Sequence, residues 1–301
     1  GNNDVTEVLI HGRDHDRVQK TVSSLQTKIS RSTRTANNIA VPLPTADLST
    51  VGGCYDLATS VLKHCSDPKS ASLSDASAGS TSKLMILMNN AGVYSNALVR
   101  TEDGLELTFA VNVLAPFVVT SMLLSELLAN AIHNKKSSRI VIASSVSQSW
   151  KLPNDYWDDP QYLKRPYSAH GAYSESKLLD AMLTIEMAHR LHDLAGIDTS
   201  IVTCNCLDPG TVNTKMLLDG WGPIGMRVED ALDETWCFTS SELEAVSGQY
   251  FVSQSSRRAS ACAYDPVHRN FLWQTLSELA PRAAAEWDRA VDIYSTKKSQ
   301  Q

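Results

Sequence analysis

Arg139-Ile-Val-Ile-Ala-Ser-Ser145 is the stretch that decides the fold. A short apolar run rich in β-branched residues, halted by small polar ones, is the pattern of a strand buried on both faces of a parallel sheet. Similar runs recur at Glu7–His11, Ile39–Leu43, Leu84–Met88 and Thr199–Cys204, with a weaker one at Tyr250-Phe251. Between them lie amphipathic stretches at about 15–33, 47–65, 101–133 and 173–194, then less regular ones at about 227–245, 266–278 and 280–291. Strand and helix alternate throughout, so the expected class is a doubly wound α/β domain. Residues 66–82, dominated by serine, read as a flexible surface insertion. One domain is expected to span the 301 residues.

The two serines that close the run have a counterpart in Tyr173-Ser-Glu-Ser-Lys177. A tyrosine and a lysine four apart share a helix face and can act on one bound molecule. A free phenol titrates near pH 10 and exchanges protons at neutral pH only if its anion is favoured by roughly 2–3 units, and a fixed ammonium nearby supplies part of that. Other small or amide residues gather at strand ends. Asn89-Asn-Ala91-Gly92 follows one run, Asp208-Pro209-Gly210-Thr211-Val212-Asn213-Thr214 follows another, and Asn112 stands among apolar neighbours in a helical stretch.

Composition narrows the function. A formal charge of −6 argues against nucleic acid as the main partner. No apolar run approaches the ~20 residues of a membrane span, so no membrane segment is expected in this chain, and no signal peptide is visible. Six cysteines without paired spacing suit reduced thiols and a cytoplasmic setting. His189 and His192 lack a carboxylate-rich partner motif and read as surface residues, so no metal is expected.

In this order and spacing the motifs resemble the short-chain dehydrogenase/reductase family, and especially its retinol-dehydrogenase-like branch. Thr101-Glu-Asp-Gly-Leu-Glu106 and the tail Gly248-Gln-Tyr-Phe251 with Ser260, Asp265 and Leu272-Trp273 point to that branch. The resemblance covers nearly the whole chain. It implies a Rossmann-like, three-layer α/β/α domain and a catalytic set of Asn112, Ser145, Tyr173 and Lys177. Tyr173 would be the general acid or base, and Lys177 would lower its pKa and bind ribose hydroxyls. Ser145, with Ser144 and Ser147 as alternatives, would hold the substrate oxygen, and Asn112 would hold a water leading to solvent. Asn89, Ala91, Gly92, Pro209, Gly210, Thr211, Val212 and Thr214 would line the cofactor, and Asp47-Leu48 would meet the adenine. Asp47 is also a plausible helix cap. Arg13, closing the first run, implies NADP(H) over NAD(H), because an arginine there can pair with a 2′-phosphate. Asp14 reads as the cap of the next helix.

The interval from Ser145 to Tyr173 is longer than in many members and carries Trp150, Tyr156, Trp157, Tyr162 and Tyr167. Those aromatics either wall an apolar substrate or form an excursion packed on itself. With Met216 and Trp221 at the lid position, they favour a lipophilic carbonyl or alcohol as the small-molecule partner. Helices 101–133 and 173–194 could form a homodimer face or be covered within one chain.

The family's first strand and glycine-rich loop have no counterpart here. The chain is therefore expected to be an amino-terminally truncated fragment, with roughly 30–40 further residues upstream. Its absence would leave two strands with unpaired edges, and an upstream membrane anchor would lie outside this stretch. The literal G-x-G-x-x-G at 220–225 follows no strand and reads as a false match. Other readings are a non-catalytic nucleotide-binding or scaffolding protein of the same fold, or a carbon–carbon double-bond reductase.

Overall fold

The computed structural model describes residues 7–31, 39–67, 84–220 and 222–298. From position 68 the serine-rich stretch lies outside the described residues, as does Trp221. The strands are β1 (Glu7–Ile10), β2 (Ile39–Pro42), β3 (Ile86–Asn89), β4 (Ser138–Ala143), β5 (Val202–Asp208), β6 (Tyr250–Val252) and β7 (Ser255–Arg257). The helices are α1 (His15–Arg31), α2 (Val51–Ser66), α3 (Leu107–Phe109), α4 (Ala115–Asn134), α5 (Ala169–His189), α6 (Lys215–Gly220), α7 (Asp233–Thr239), α8 (Pro266–Leu279) and α9 (Pro281–Lys298). The expected class holds: strands β3 to β6 run parallel, and β7 turns back antiparallel on β6.

Alternation along the central strands builds two layers of packing. Ile140 and Ile142 of β4, with Val202, Cys204 and Cys206 of β5, face the large core formed with α2, α4, α5, α8 and α9. Val141 and Leu207 face the other way, against Cys237 of α7, Leu243 and Phe251. All six cysteines are free thiols. Helix ends are fixed by side chains: Ser168 accepts the Gly171 N–H at α5, and Asp265 accepts that of Val267 ahead of Pro266 at α8.

The helix that continues from α3 into α4 is interrupted by a π turn at Ala110–Leu114, where the Ala115 N–H reaches back to the Ala110 carbonyl. Glu106, buried, caps its start by accepting the N–H groups of Thr108 and Phe109, both at 2.8 Å. The stretch Leu107–Asn134 is long and apolar enough to cross a membrane: its most apolar 18-residue window has mean hydropathy 2.0, and 94% of that window is buried inside the protein. This corrects the reading that no segment has that character: single polar residues such as Asn112 and Thr120 break the run without lowering its average. Helix α4 packs on α2 and α9, and α5 on α8, so much of both long helices is covered within the chain.

The sheet is in two parts. β1 pairs with β2 alone and β3 with β4 alone, so among the described residues no ladder joins β1 to β3. Both strands are only partly buried, with Val8 49% exposed, while β5 is buried along its length. Among the described residues, β1 and β3 therefore each present an edge with no partner strand.

Asp14 does cap α1, accepting the Arg17 N–H at 3.0 Å. The cap of α2, however, is Thr50, whose hydroxyl accepts the Gly53 N–H, and Asp47 instead closes the preceding turn through Ser49. The chain passes so close here that a Cβ on Gly53 would fall on the Asp47 carbonyl. A backbone atom cannot rotate aside, so Gly53→Ala should cost about 1–3 kcal/mol, read as a lower urea midpoint at unchanged slope.

Candidate active site

At the carboxyl end of β4 the chain turns sharply, and its two serines part company. The Ser144 hydroxyl donates to the Lys177 carbonyl at 2.8 Å, which commits it to the backbone of α5. Ser145 instead hydrogen-bonds the Tyr173 hydroxyl and also the Asp208 carboxylate. Its oxygen also accepts the Ser147 N–H, which pins the turn. Of Ser144, Ser145 and Ser147, it is the Ser145 hydroxyl that reaches Tyr173.

Tyr173 and Lys177 lie one turn apart near the start of α5, both buried, with the ammonium 5.8 Å from the phenol ring centre. Tyr94 packs edge-on against Tyr173 at 5.7 Å. Lys177 donates to the Ala143 carbonyl at 2.8 Å and to Asp180 at 2.9 Å. The spacing alone suggests a lowered phenol pKa, but in the folded chain it is raised. Burial outweighs the help of Lys177 and Ser145, and Asp180 and Asp208 push the same way as burial. Tyr173 is therefore held protonated at neutral pH, as a proton donor must be.

Asn112 sits in the π turn and spends its amide on the protein. Its oxygen accepts the Val93 N–H at 2.8 Å, and its nitrogen donates to the Val93 carbonyl and to Ser176. It therefore ties the loop after β3 to α5. In that loop Asn89 donates to Thr120. Gly92 faces both Asn112 and Lys177: a Cβ there would lie 3.6 Å from the Asn112 oxygen and 3.8 Å from the Lys177 nitrogen. The missing side chain leaves that space to a ligand lying over the loop.

Past β5, Asp208 accepts the Val146 and Gly210 N–H groups, at 2.8 and 3.1 Å, and so joins the turns after β4 and β5. Burial raises its pKa against those two bonds. Gly210 has φ +80, a conformation that favours glycine. Pro209, Gly210, Thr211, Val212 and Thr214 then run along the same sheet end into α6. Asn213 exchanges two hydrogen bonds with Gly225. Gly222 and Gly225 thus serve a local turn, and the glycine match at 220–225 opens no phosphate-binding helix. Arg13, exposed, and Asp47-Leu48 follow β1 and β2.

The aromatics between Ser145 and Tyr173 form an excursion packed on itself. Tyr156 and Tyr162 are buried beneath Arg165, whose guanidinium lies 5.1 and 4.3 Å from their ring centres. Arg165 pairs with Glu175 of α5, which also accepts the Tyr162 hydroxyl. Trp157 stacks on His268 and Phe271, and Tyr167 donates to the Ser95 carbonyl. Trp150 is 89% exposed. The side chain that stands beside Tyr173 is Tyr94, which no motif flags, although it follows Gly92 by two positions. Asp180 was missed too, despite sharing a helix face with Lys177. His189 and His192 are engaged by Asp193 and by Ile197 and Ser247 respectively. Among the described residues no cluster suited to a metal ion occurs.

No protein-family model matches the chain. It is 32% identical over 205 residues to human retinol dehydrogenase 14, covering 64% of this chain and 57% of that protein. It is 32% identical over 209 residues to human polyprenol dehydrogenase, covering 65% and 61%. The chain thus spans less than two thirds of these relatives. Among solved structures, it is similar to the RhlG–NADP complex of Pseudomonas aeruginosa (TM-score 0.55, 19% identity, 85% of this chain and 86% of that one). It is also similar to a short-chain dehydrogenase of Burkholderia cenocepacia in complex with NADP (TM-score 0.52, 18% identity, 82% and 85%).

Proposed function

We propose that this chain, which has the fold of the short-chain dehydrogenases/reductases and resembles their retinol-dehydrogenase-like members in sequence, is part of an NADP(H)-dependent oxidoreductase. Its substrate is a carbonyl or alcohol group on a lipophilic small molecule, as the names of its relatives suggest. The observation that carries this reading is the Ser145–Tyr173–Lys177 set: a phenol hydrogen-bonded to a serine at a strand end, with a buried ammonium one turn below. A bound nicotinamide would supply or accept the hydride.

The residues divide the remaining work. Ser145 and Tyr173 together hold the substrate oxygen, and Tyr173 gives it a proton as charge develops there. Lys177 stabilises the phenolate left behind and faces the ribose across the space at Gly92. Asn112 keeps the Val93 loop and α5 in register. Asn89, Ala91 and the run from Pro209 to Thr214 line the nicotinamide side. Arg13 pairs with a 2′-phosphate and so sets the preference for NADPH. The described residues offer no helix N-terminus for the pyrophosphate.

Ser145→Ala should lower the rate of NADPH-dependent carbonyl reduction by about 10- to 100-fold, the worth of one hydrogen bond to developing charge. Ser144→Ala, which touches only helix backbone, should leave the rate near that of the unaltered protein. Initial rates on a panel of lipophilic aldehydes check both. Equal loss in the two variants, or none in either, would remove Ser145 from the role given to it.

A further inference from the structure

We propose that Asp180 is a positioning residue that sets the charge felt by Tyr173: its ionised carboxylate holds Lys177 and keeps Tyr173 protonated, setting the pH range over which the phenol can give or take a proton. The proposal rests on the reading of Tyr173 as the proton donor.

Asp180 is fully buried in the middle of α5. One of its oxygens receives the Lys177 ammonium at 2.9 Å, and the other has no hydrogen-bond partner among the described residues. A half-satisfied carboxylate at full burial is a costly way to anchor a helix, since an apolar residue would serve that purpose better. What the carboxylate does provide is a negative charge in direct contact with the lysine that governs the phenol.

The groups around it leave few other routes for that charge. On α5 they are Lys177 and Tyr173, with Thr184 spent on the Asp180 carbonyl. From β5 come the Cys206 thiol, kept neutral chiefly by burial, and Asp208 at the strand end. Beyond Lys177 the π turn presents the uncharged Asn112. Lys177 is the only cation in this set, so any change in the charge of Asp180 is felt through it.

Burial pushes the Asp180 carboxyl up to about 7 in spite of the lysine. Its proton therefore comes and goes near neutral pH, and it titrates together with the pair beside it. With Asp180 ionised, the ammonium is compensated and the phenol keeps its proton. With Asp180 protonated, the ammonium acts unopposed and the phenol becomes more acidic.

The test is Asp180→Asn, with Asp180→Ser as a second variant, read by pH profiles in both directions and by thermal unfolding across pH. The alkaline limb of carbonyl reduction should move down by roughly 0.5–1 unit, and alcohol oxidation at neutral pH should rise about 3- to 10-fold, with KM little changed. Stability gives an independent reading. The carboxyl titrates higher in the folded than in the unfolded chain, so the unaltered protein should lose stability relative to either variant as pH rises from about 4 to 7, and hold a constant difference above. A changed stability profile with unmoved activity limbs would show Asp180 to be a structural ion pair only and overturn the proposal, leaving the proposed function intact. If the unaltered protein turns over no carbonyl under any condition, the underlying reading fails and this one falls with it.

Discussion

Replacing Tyr173 by phenylalanine should reduce NADPH-dependent carbonyl reduction by about 10²- to 10⁴-fold while leaving the fold intact. The ring survives the substitution. Its edge contact with Tyr94 at 5.7 Å and its place beside the Lys177 ammonium are properties of the ring, not of the hydroxyl. The bond to Ser145 is lost, worth about 1 kcal/mol of stability. What disappears is the proton. The phenol is held above its ordinary range chiefly by burial, so at neutral pH it is a stocked donor, and the neighbouring hydroxyl and ammonium groups are committed elsewhere. Ser144 is spent on α5, and Lys177 on Ala143 and Asp180. Initial rates and a melting curve measured together check this: a variant that melts normally yet retains its rate would remove Tyr173 from the chemistry.

Lys177→Met should have the second large effect, and it should be felt in stability as well as in rate. The ammonium is the partner of a fully buried carboxylate. Removing it leaves Asp180 without a countercharge, which costs about 3–5 kcal/mol for a buried pair broken on one side. The pH dependence gives the sign. Asp180 already titrates at about 7 with the lysine present, and losing the lysine raises it further. Below that value the carboxyl takes a proton and the cost shrinks, and above it the full penalty applies. The melting temperature of the variant should therefore fall further below that of the unaltered protein as pH rises past 7. Adding Asp180→Asn should restore much of the stability and none of the activity. A single variant that melts normally at pH 8 would show the pair to be energetically idle.

Most of the sheet was legible because each central strand carries its own apolar run. Ile140 and Ile142 on one face and Val141 on the other need two covered faces, and only a parallel sheet between helices provides them. Strand β5 was expected to stop at Cys204, but it continues to Asp208. Asn205 looks like a breaker in sequence, yet inside the fold its amide is satisfied by the Val246 carbonyl and the Gln249 N–H, partners more than forty residues away. Strand β7 was missed because its three residues are all exposed and carry no pattern. The long helix was expected to begin near 101, but Gly104 at φ +78 closes a turn there and Glu106 starts the helix afterwards.

The site was legible as a list of residues and much less as a set of charges. Spacing placed Tyr173, Lys177 and a serine together, and the fold brings them together with Asn112 and the loop at Gly92. Spacing could not show that burial would outweigh the lysine and raise the phenol, nor that Ser144 would turn away from it. Desolvation and hydrogen-bond commitment depend on what covers a group, which the local sequence does not state. Asp180 is the instructive case. Its position three residues beyond Lys177 was visible in the sequence, whereas its complete burial was not.

If these strand ends hold a phosphorylated nicotinamide dinucleotide, as proposed, the binding is read by titrating NADPH and following its fluorescence. The titration is made on the unaltered chain and on its Lys177→Met variant. Saturable NADPH binding by the unaltered chain, weaker for NADH and lost in Lys177→Met, is the predicted result. Absence of saturable NADPH binding by the unaltered chain would contradict the account.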